Sequence, residues 1–239
     1  MKFLKFNTYE EMSAAAANIM AEQIKSKPNS VLGLATGSTP VGMYKKLIEM
    51  NKTGEIDFSD ITTVNLDEYY PIDPANKQSY RYFMNDNLFD HINIDKERTN
   101  VLYGLAEDPD KECERYEQLI KDLGGIDIQV LGIGQNGHIA FNEPEENLYL
   151  NTHKTALTES TINANSRFFS KDEIIPNASL TMGMGTIFAA KKIILLINGK
   201  SKKAAFEQLL NDRFNTSCPA TILKLHPDVT VICDAEVAD

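Results

Sequence analysis

Short apolar runs that do not alternate with polar residues constrain the fold of this chain more than any other feature of its sequence. Five of them predict strands that are buried on both faces: Val31–Ala35, Ile61–Leu66, Ile126–Leu131, Ile193–Ile197 and Val229–Cys233. Weaker strand signals lie at Asn100–Tyr103 and Lys154–Leu157. Runs of this kind are typical of a parallel sheet that helices cover on both sides.

Helical patterns separate the apolar runs. They cover Tyr9–Ser26, Pro40–Met50, Ser79–Asp90, Pro109–Leu123, Leu180–Ala190 and Lys202–Leu210. Repeated alternation of strand and helix predicts an α/β fold with a mostly parallel sheet and helices on both faces. The chain shows no internal repeat, low-complexity tract or linker, so we expect residues 1–239 to form a single domain.

The charge of the chain limits its partners. With 24 Lys and Arg against 34 Asp and Glu, the net charge is −10, which disfavours nucleic acid and anionic membranes. The three cysteines, Cys113, Cys218 and Cys233, are far apart and form no zinc motif, so we expect a reduced intracellular protein without a metal. The sequence has no signal-peptide pattern and no apolar run of about 18 residues, and we expect a cytoplasmic location.

Ligands of open α/β sheets bind beyond the carboxyl ends of the strands. This rule selects the loops Thr36–Pro40, Asp67–Pro71, Gly132–Pro144 and Asn198–Lys203, together with the segment after Leu157. A small molecule bound there is the partner that the sequence predicts.

The loop GIGQNGHIAFNEP, from Gly132 to Pro144, matches the dinucleotide fingerprint G-x-G-x-x-G. That fingerprint needs a helix that starts inside it and receives the pyrophosphate, and Pro144 forbids a long helix here. We therefore expect no nicotinamide cofactor. His138, Asn136 and Glu143 either point into a ligand pocket or are incidental polar groups of a tight glycine turn.

The loop ATGSTP predicts an anion site. Gly37 allows close approach of the backbone, Ser38 and Thr39 offer hydroxyls, and the first N–H groups of a helix follow. A well-capped helix without a ligand is the alternative. Lysines at Lys200, Lys202 and Lys203 also open a helix, where they oppose the helix dipole, and binding of an anion is one reason for that placement.

Asp67 and Glu68 follow another apolar run in the segment NLDEYY. A carboxylate near a desolvated strand end can have a raised pKa and act as a general base. A solvated acidic turn is the alternative. Arg167, in NSRFF, is either a surface residue or a movable arm that closes on a phosphate.

Taken together, the segments LGLATGSTP, VNLDEYY, GIGQNGHIAFNEP, NSRFF, LTMGMGT and LHPDVTVICD resemble the glucosamine-6-phosphate deaminase family over nearly the whole chain. The resemblance implies a single Rossmann-like domain. It also implies conversion of glucosamine 6-phosphate and water to fructose 6-phosphate and ammonia, without a metal or organic cofactor.

The resemblance assigns roles to individual residues. It implies that Asp67 moves the proton from C2 to C1 and that Asn136, His138 and Glu143 act in ring opening. The implied phosphate-binding residues are Gly37, Ser38, Thr39, Arg167 and Lys202. The assignment of Lys202 depends on the alignment, because Lys200 and Lys203 lie close to it in the sequence.

Two departures from the family pattern affect these expectations. Some members carry Asp where this chain has Asn136, which can form hydrogen bonds but supplies no charge to an imidazolium. Allosteric members have basic residues soon after FNEP, where this chain has Glu145 and Glu146. We therefore expect no activation by N-acetylglucosamine 6-phosphate, and either a monomer or a homo-oligomer.

Two other functions are compatible with the same features. One is a sugar-phosphate lactonase of the 6-phosphogluconolactonase type, which needs no base over C1 and C2. The other is a non-catalytic sugar-phosphate sensor, although the chain has no spare segment for a DNA-binding helix pair. The polar stretch at about 158–178 is either a lid over the substrate or an ordinary surface excursion.

Overall fold

The computed structural model describes residues 1–157 and 175–238. Its strands are Lys2–Phe6 (β1), Val31–Leu34 (β2), Thr62–Asn65 (β3), Asp67–Tyr70 (β4), Thr99–Asn100 (β5), Ile128–Leu131 (β6), His153–Ala156 (β7), Ala178–Thr181 (β8), Ile193–Ile197 (β9) and Val229–Asp234 (β10). Among these residues, a seven-stranded sheet has the order β1–β10–β9–β6–β2–β3–β5, and its paired strands are parallel. The predicted α/β class is confirmed.

Helices flank this sheet. In the described residues they are Tyr9–Ser26 (α1), Val41–Lys52 (α2), Tyr80–Asn87 (α3), Pro109–Asp122 (α4), Met184–Phe188 (α5), Lys203–Leu210 (α6) and Ala235–Ala238 (α7). Short 3₁₀ helices lie at Phe89–His91, Lys96–Arg98, Lys200–Lys202 and Pro219–Leu225. Within the described ranges, no helix has both the length and the apolar character needed to cross a bilayer.

The core lies between the sheet and its helices. Every residue of β2, β6 and β9 is buried, which explains why these strands read as continuous apolar runs. On α1, Met12, Ala16 and Met20 are fully buried at helical spacing. This packing places the carboxyl ends of the central strands at one edge of the sheet.

A second, antiparallel sheet of three strands has the order β4–β8–β7. The prediction that Asp67–Pro71 is a loop was therefore wrong, since β4 pairs with β8 and Asp67 lies opposite Thr181. The weak signal at Lys154–Leu157 is a strand, but β7 belongs to this second sheet and not to the main one. Pairing between segments more than 100 residues apart leaves no local pattern, so the sequence did not reveal it.

The helix predicted at Leu180–Ala190 is mostly wrong as well. Residues Ala178–Thr181 form β8, and helix is confined to Met184–Phe188. Gly183 packs closely against other backbone, because a Cβ atom there would lie 2.3 Å from the carbonyl oxygen of Asn151. The strand β1 was not predicted, since it is a largely exposed edge strand with lysines.

Candidate active site

A cleft of about 570 Å³ lies at the carboxyl edge of the parallel sheet. The loops after β2, β6 and β9 line it, and the start of β4 closes one side. Of the five segments predicted from the carboxyl ends of the strands, these three loops contribute as expected, and the fifth, after Leu157, lies mostly outside the described residues. The fourth segment contributes Asp67 through a strand and not through a loop.

The loop after β2 has the features of an anion-binding loop. Gly37 has a φ of 91°, a conformation that favours glycine, and Ser38 and Thr39 line the cleft beside it. The hydroxyl of Tyr9 fixes this loop: it donates to Ser38 O at 3.0 Å and accepts from Gly42 N at 2.8 Å. Sequence reasoning missed Tyr9, because no local pattern links the start of α1 to this loop.

Lys202 reaches the same cleft from the loop after β9. Partial burial lowers the pKa of its ammonium group. Asn198, at the end of β9, accepts a hydrogen bond of 2.6 Å from the Thr39 hydroxyl and so ties the two anion-facing loops together. A cation and the hydroxyl-bearing loop after β2 therefore line the same cleft, which suits an anionic group such as a phosphate.

Asp67 lines the cleft and is only 6% exposed. Burial, and secondly the charge of the neighbouring Glu68, raise the pKa of Asp67 to about 8. A carboxyl group whose pKa lies near neutrality can accept and return protons under physiological conditions. The solvated acidic turn considered above is therefore excluded for Asp67.

His138 and Glu143 also line the cleft, as neighbours within one tight turn. The imidazole Nδ1 lies 3.1 Å from Glu143 Oε1, although it forms no well-aligned hydrogen bond within the described residues. The close contact with His138, and a hydrogen bond from the Asn136 amide, lower the pKa of Glu143 despite its burial. The pairing suits Glu143 to orient the imidazole.

Asn136 lies outside the lining of the cleft and is exposed. Its side-chain nitrogen donates to Glu143 Oε2 at 2.7 Å, and its oxygen accepts from His138 N at 3.2 Å. An Asp at position 136 would put a second carboxylate against Glu143. Asn136 therefore contacts Glu143 from outside the cleft lining, and its hydrogen bond can hold Glu143 in position.

Two of the three glycines of this loop, Gly134 and Gly137, have steric reasons that do not involve a nucleotide. A Cβ atom at Gly134 would lie 2.3 Å from the ring of His138, and one at Gly137 would lie 2.3 Å from Cys218 Sγ. Between Gly132 and Pro144 the backbone forms turns, and an isolated bridge joins Ile139 to Asn142, so no helix starts within this loop. The helix that a dinucleotide site needs is therefore missing, as predicted from Pro144.

Aromatic side chains form a wall of the cleft that sequence reasoning missed. Tyr69, Tyr80 and Phe141 all line the cleft, with Tyr80 4.7 Å from Tyr69 and stacked on Phe141 at 6.3 Å between ring centroids. We call these three rings the aromatic wall. Phe141 and Tyr69 belong to the motifs noted above, but nothing in the sequence pointed to Tyr80.

The predicted site residues therefore fall into three groups. Seven of them line one cleft: Gly37, Ser38, Thr39, Asp67, His138, Glu143 and Lys202. Asn136 lies outside the lining and donates a hydrogen bond to Glu143. Arg167, and most of the predicted lid at 158–178, lie outside the described residues.

The fold and the cleft define a class of α/β proteins that bind a small anionic ligand at the carboxyl edge of a parallel sheet. A family profile described as glucosamine-6-phosphate isomerases/6-phosphogluconolactonase matches residues 6–232. The chain belongs to this family.

Relatives within the family are similar over their full length. The chain is 56% identical over 238 residues to a glucosamine-6-phosphate deaminase of Thermoanaerobacter pseudethanolicus, covering 100% of this chain and 94% of the relative. It is also 56% identical to the glucosamine-6-phosphate deaminase of Clostridium beijerinckii, covering 100% of this chain and 99% of the relative.

Solved structures agree with this assignment. A structure described as a monomeric glucosamine-6-phosphate deaminase superposes with a TM-score of 0.95 at 48% identity, covering 100% of this chain and 99% of the other. A 6-phosphogluconolactonase from Thermotoga maritima superposes with a TM-score of 0.78 at 20% identity, covering 98% of each chain, and shares the fold alone.

Proposed function

We propose that this protein is an enzyme that converts glucosamine 6-phosphate and water to fructose 6-phosphate and ammonia. The observation that carries the proposal is the buried Asp67 carboxyl in the same cleft as the His138–Glu143 pair and an anion loop. The names of relatives that are 56% identical support the same activity. Because a phosphorylated sugar does not cross membranes, we place the enzyme in the cytoplasm.

Ring opening is the first step, because the hexosamine exists mainly as a closed ring. A proton must leave the anomeric hydroxyl and another must reach the ring oxygen. An imidazole has one nitrogen that can donate a proton and one that can accept it, which suits His138 to this step, and Glu143 lies 3.1 Å from its Nδ1. In this scheme, Asn136 orients Glu143.

Transfer of a proton from C2 to C1 follows. Asp67 takes the proton from C2 of the open-chain aldehyde, and the electron pair forms the double bond of an enolamine. As that double bond forms, the aldehyde oxygen takes up a proton and becomes the C1 hydroxyl. The same carboxyl returns the first proton to C1, and the amine nitrogen gives up a proton as the imine forms at C2, so the number of protons is unchanged. Water then adds to the imine and ammonia departs, so that one water molecule is consumed for each ammonia. A positioned general base contributes about 10²–10⁴-fold to such a step.

The phosphate of the substrate supplies the positioning. We assign it to Gly37, Ser38, Thr39 and Lys202, and Arg167 remains a candidate for a further contact. Contacts to a group remote from the reacting carbons can hold C1 and C2 over Asp67. No step of this scheme transfers an electron or a hydride, and we expect no metal and no organic cofactor.

The lactonase alternative has weaker support. The family profile covers both activities, but the superposed 6-phosphogluconolactonases are only 17–21% identical and share the fold alone. It differs from the deaminase in chemistry: a lactonase has no use for a base over C1 and C2. Asp67→Asn therefore separates the two functions, because it removes deamination and leaves lactone hydrolysis possible.

An assay coupled to ammonia, run on glucosamine 6-phosphate, tests the proposal. We expect the wild type to release ammonia, and Asp67→Asn and His138→Gln each to lower kcat by at least about 10²-fold. Asp60→Asn, a change of the same type at an exposed side chain, serves as the control and should keep full activity. Absence of ammonia release by the wild type would overturn the proposal.

A further inference from the structure

We propose that Glu68 is a positioning residue of this enzyme, which fixes the start of α3 and thereby the aromatic wall beside Asp67. The inference rests on the proposed function. It concerns a side chain that lies outside the cleft, and no role follows for it from the reaction described above.

Strand geometry puts Glu68 on the opposite side from the cleft. Side chains alternate along a strand, so Asp67 and Tyr69 face the cleft while Glu68 points the other way. Glu68 is only 1% exposed. A charged side chain that is this deeply buried needs strong partners to remain in place.

The partners of Glu68 are backbone N–H groups. Its Oε1 accepts from Tyr69 N at 2.9 Å and from Tyr80 N at 2.8 Å, and its Oε2 accepts from Arg81 N at 2.9 Å. Two of these donors are the first residues of α3, whose N–H groups have no partner within the helix. Ser79 Oγ accepts only from Tyr82 N. Glu68 thus completes the cap of α3 from a different element.

This cap fixes where Tyr80 lies, since Tyr80 is the first residue of α3. Its ring packs on Tyr69 of β4 and on Phe141, which lies in the turn between His138 and Glu143. The aromatic wall therefore connects the strand that carries Asp67 to the turn that carries the imidazole. A shift of α3 would move both sides of the cleft.

Electrostatic coupling supports the same role. The charge of Glu68 contributes, after burial, to the raised pKa of Asp67. Burial also raises the pKa of Glu68 itself to about 7, although the three N–H groups and the Arg81 guanidinium act in the opposite direction. Position and proton affinity of the proposed base thus both depend on Glu68.

A double-mutant cycle with Tyr80 tests the proposal. Glu68→Gln keeps the shape of the side chain but turns an amide N–H₂ toward one of the backbone donors. We expect Glu68→Gln to lower kcat by about ten- to a hundredfold at 25 °C, with a smaller change in KM because the phosphate loops are intact. In the Tyr80→Ala background, the same substitution should cause little further loss, since the wall is already gone.

Asp127→Asn is the matched control for loss of stability. Asp127 is a buried carboxylate at the opposite end of the sheet, where it accepts from Val31 N at 2.8 Å and pairs with Lys27 and Lys191. Its substitution should lower the melting temperature and leave kcat and KM within about twofold. Equal kinetic losses in Glu68→Gln and Asp127→Asn would show that Glu68 only supports folding, and would overturn the proposal.

Two further outcomes are informative. If Glu68→Gln does not fold, Ser79→Ala tests the same helix start more mildly, and it should lower kcat several-fold in the wild type but not beside Tyr80→Ala. Fully additive effects in these cycles would overturn the proposal. Absence of ammonia release by the wild type would instead overturn the proposed function, so the two failures are distinguishable.

Discussion

Individual side chains account for the proposed chemistry through their surroundings. Asp67 and the exposed Asp60 are the same residue type, yet only Asp67 lies in a cleft, where burial and Glu68 raise its pKa to about 8. The pKa of Glu143 is lowered instead, because His138 and Asn136 stabilise its charged form. The site therefore keeps two carboxyl groups in different protonation states near neutral pH.

The raised pKa of Asp67 predicts how the rate depends on pH. Because the base must be ionised to take the proton from C2, kcat/KM should rise with pH and level off near pH 8. Well below that value, each pH unit should change the rate about tenfold. A pH profile of kcat/KM between pH 5.5 and 9 measures this, and a profile that is flat from pH 5.5 to pH 8 would contradict it.

The same ionisation of Asp67 should lower the stability of the folded protein as the pH rises, although it raises the rate. A carboxyl whose pKa is raised from its ordinary value of 3.8 to about 8 binds a proton more tightly in the folded state. Folded stability from this group is therefore present at low pH and is lost as pH rises through that window. Asp67→Asn avoids the loss, so it should be more stable than the wild type at pH 8, by on the order of 2 kcal/mol.

Thermal unfolding of both proteins at pH 5 and pH 8 measures this difference. The gap in melting temperature should be small at pH 5 and clearly larger at pH 8. A gap that is the same at both values would show that Asp67 does not titrate in this range.

Strands and turns decide how these side chains meet. Asp67 reaches the cleft because β4 leaves the main sheet after Asn65 and pairs with β8. The turn that carries His138 and Glu143 contacts β8 as well, because Phe141 N donates to Thr181 Oγ1 of β8 at 3.2 Å. The small antiparallel sheet is therefore the element that joins the two proposed catalytic groups.

The glycine turn before His138 gives a test of this arrangement. Gly137 has a φ of 86°, and a Cβ atom there would lie 2.3 Å from Cys218 Sγ. Gly137→Ala should therefore destabilise the fold by more than the roughly 1 kcal/mol that positive φ alone costs. It should also lower kcat, because the turn must shift away from Cys218.

Gly54→Ala is the control for this prediction. Gly54 also has a positive φ, of 75°, but a Cβ atom there would have no neighbour within 4 Å. Its substitution should show only the conformational cost and should keep full activity. Denaturant unfolding and the ammonia assay on both variants measure the two effects, and equal losses of stability would contradict the role of Cys218.

The assembly and regulation of the whole protein remain predictions. Glu145 and Glu146 are exposed just beyond the turn that carries Glu143, and their charges would repel a phosphorylated effector. A related structure at 48% identity is described as a monomeric deaminase. The single domain proposed for residues 1–239 is compatible with a protein that works alone.

We therefore expect a hyperbolic rate curve that N-acetylglucosamine 6-phosphate does not change. Initial rates measured with and without the effector should superimpose. A sigmoidal curve that the effector makes hyperbolic would contradict this expectation.

The sequence by itself determined the central strands of the main sheet, the loops at its carboxyl edge and most of the residues that line the cleft. These features depend on local signals: apolar runs such as Ile193–Ile197, a helix that begins just after Pro40, and Pro144 in a glycine loop. Burial patterns and turn residues act over a few positions, so they can be read directly.

Tertiary structure decided the rest. Four features join residues of different elements. They are the pairing of β4, the aromatic wall with Tyr80, the contact of Tyr9 with the anion loop, and the cap that Glu68 provides. Which distant groups meet depends on how the elements pack, and no local pattern encodes that. The raised pKa of Asp67 belongs to this group as well, because it follows from burial that only the folded protein creates.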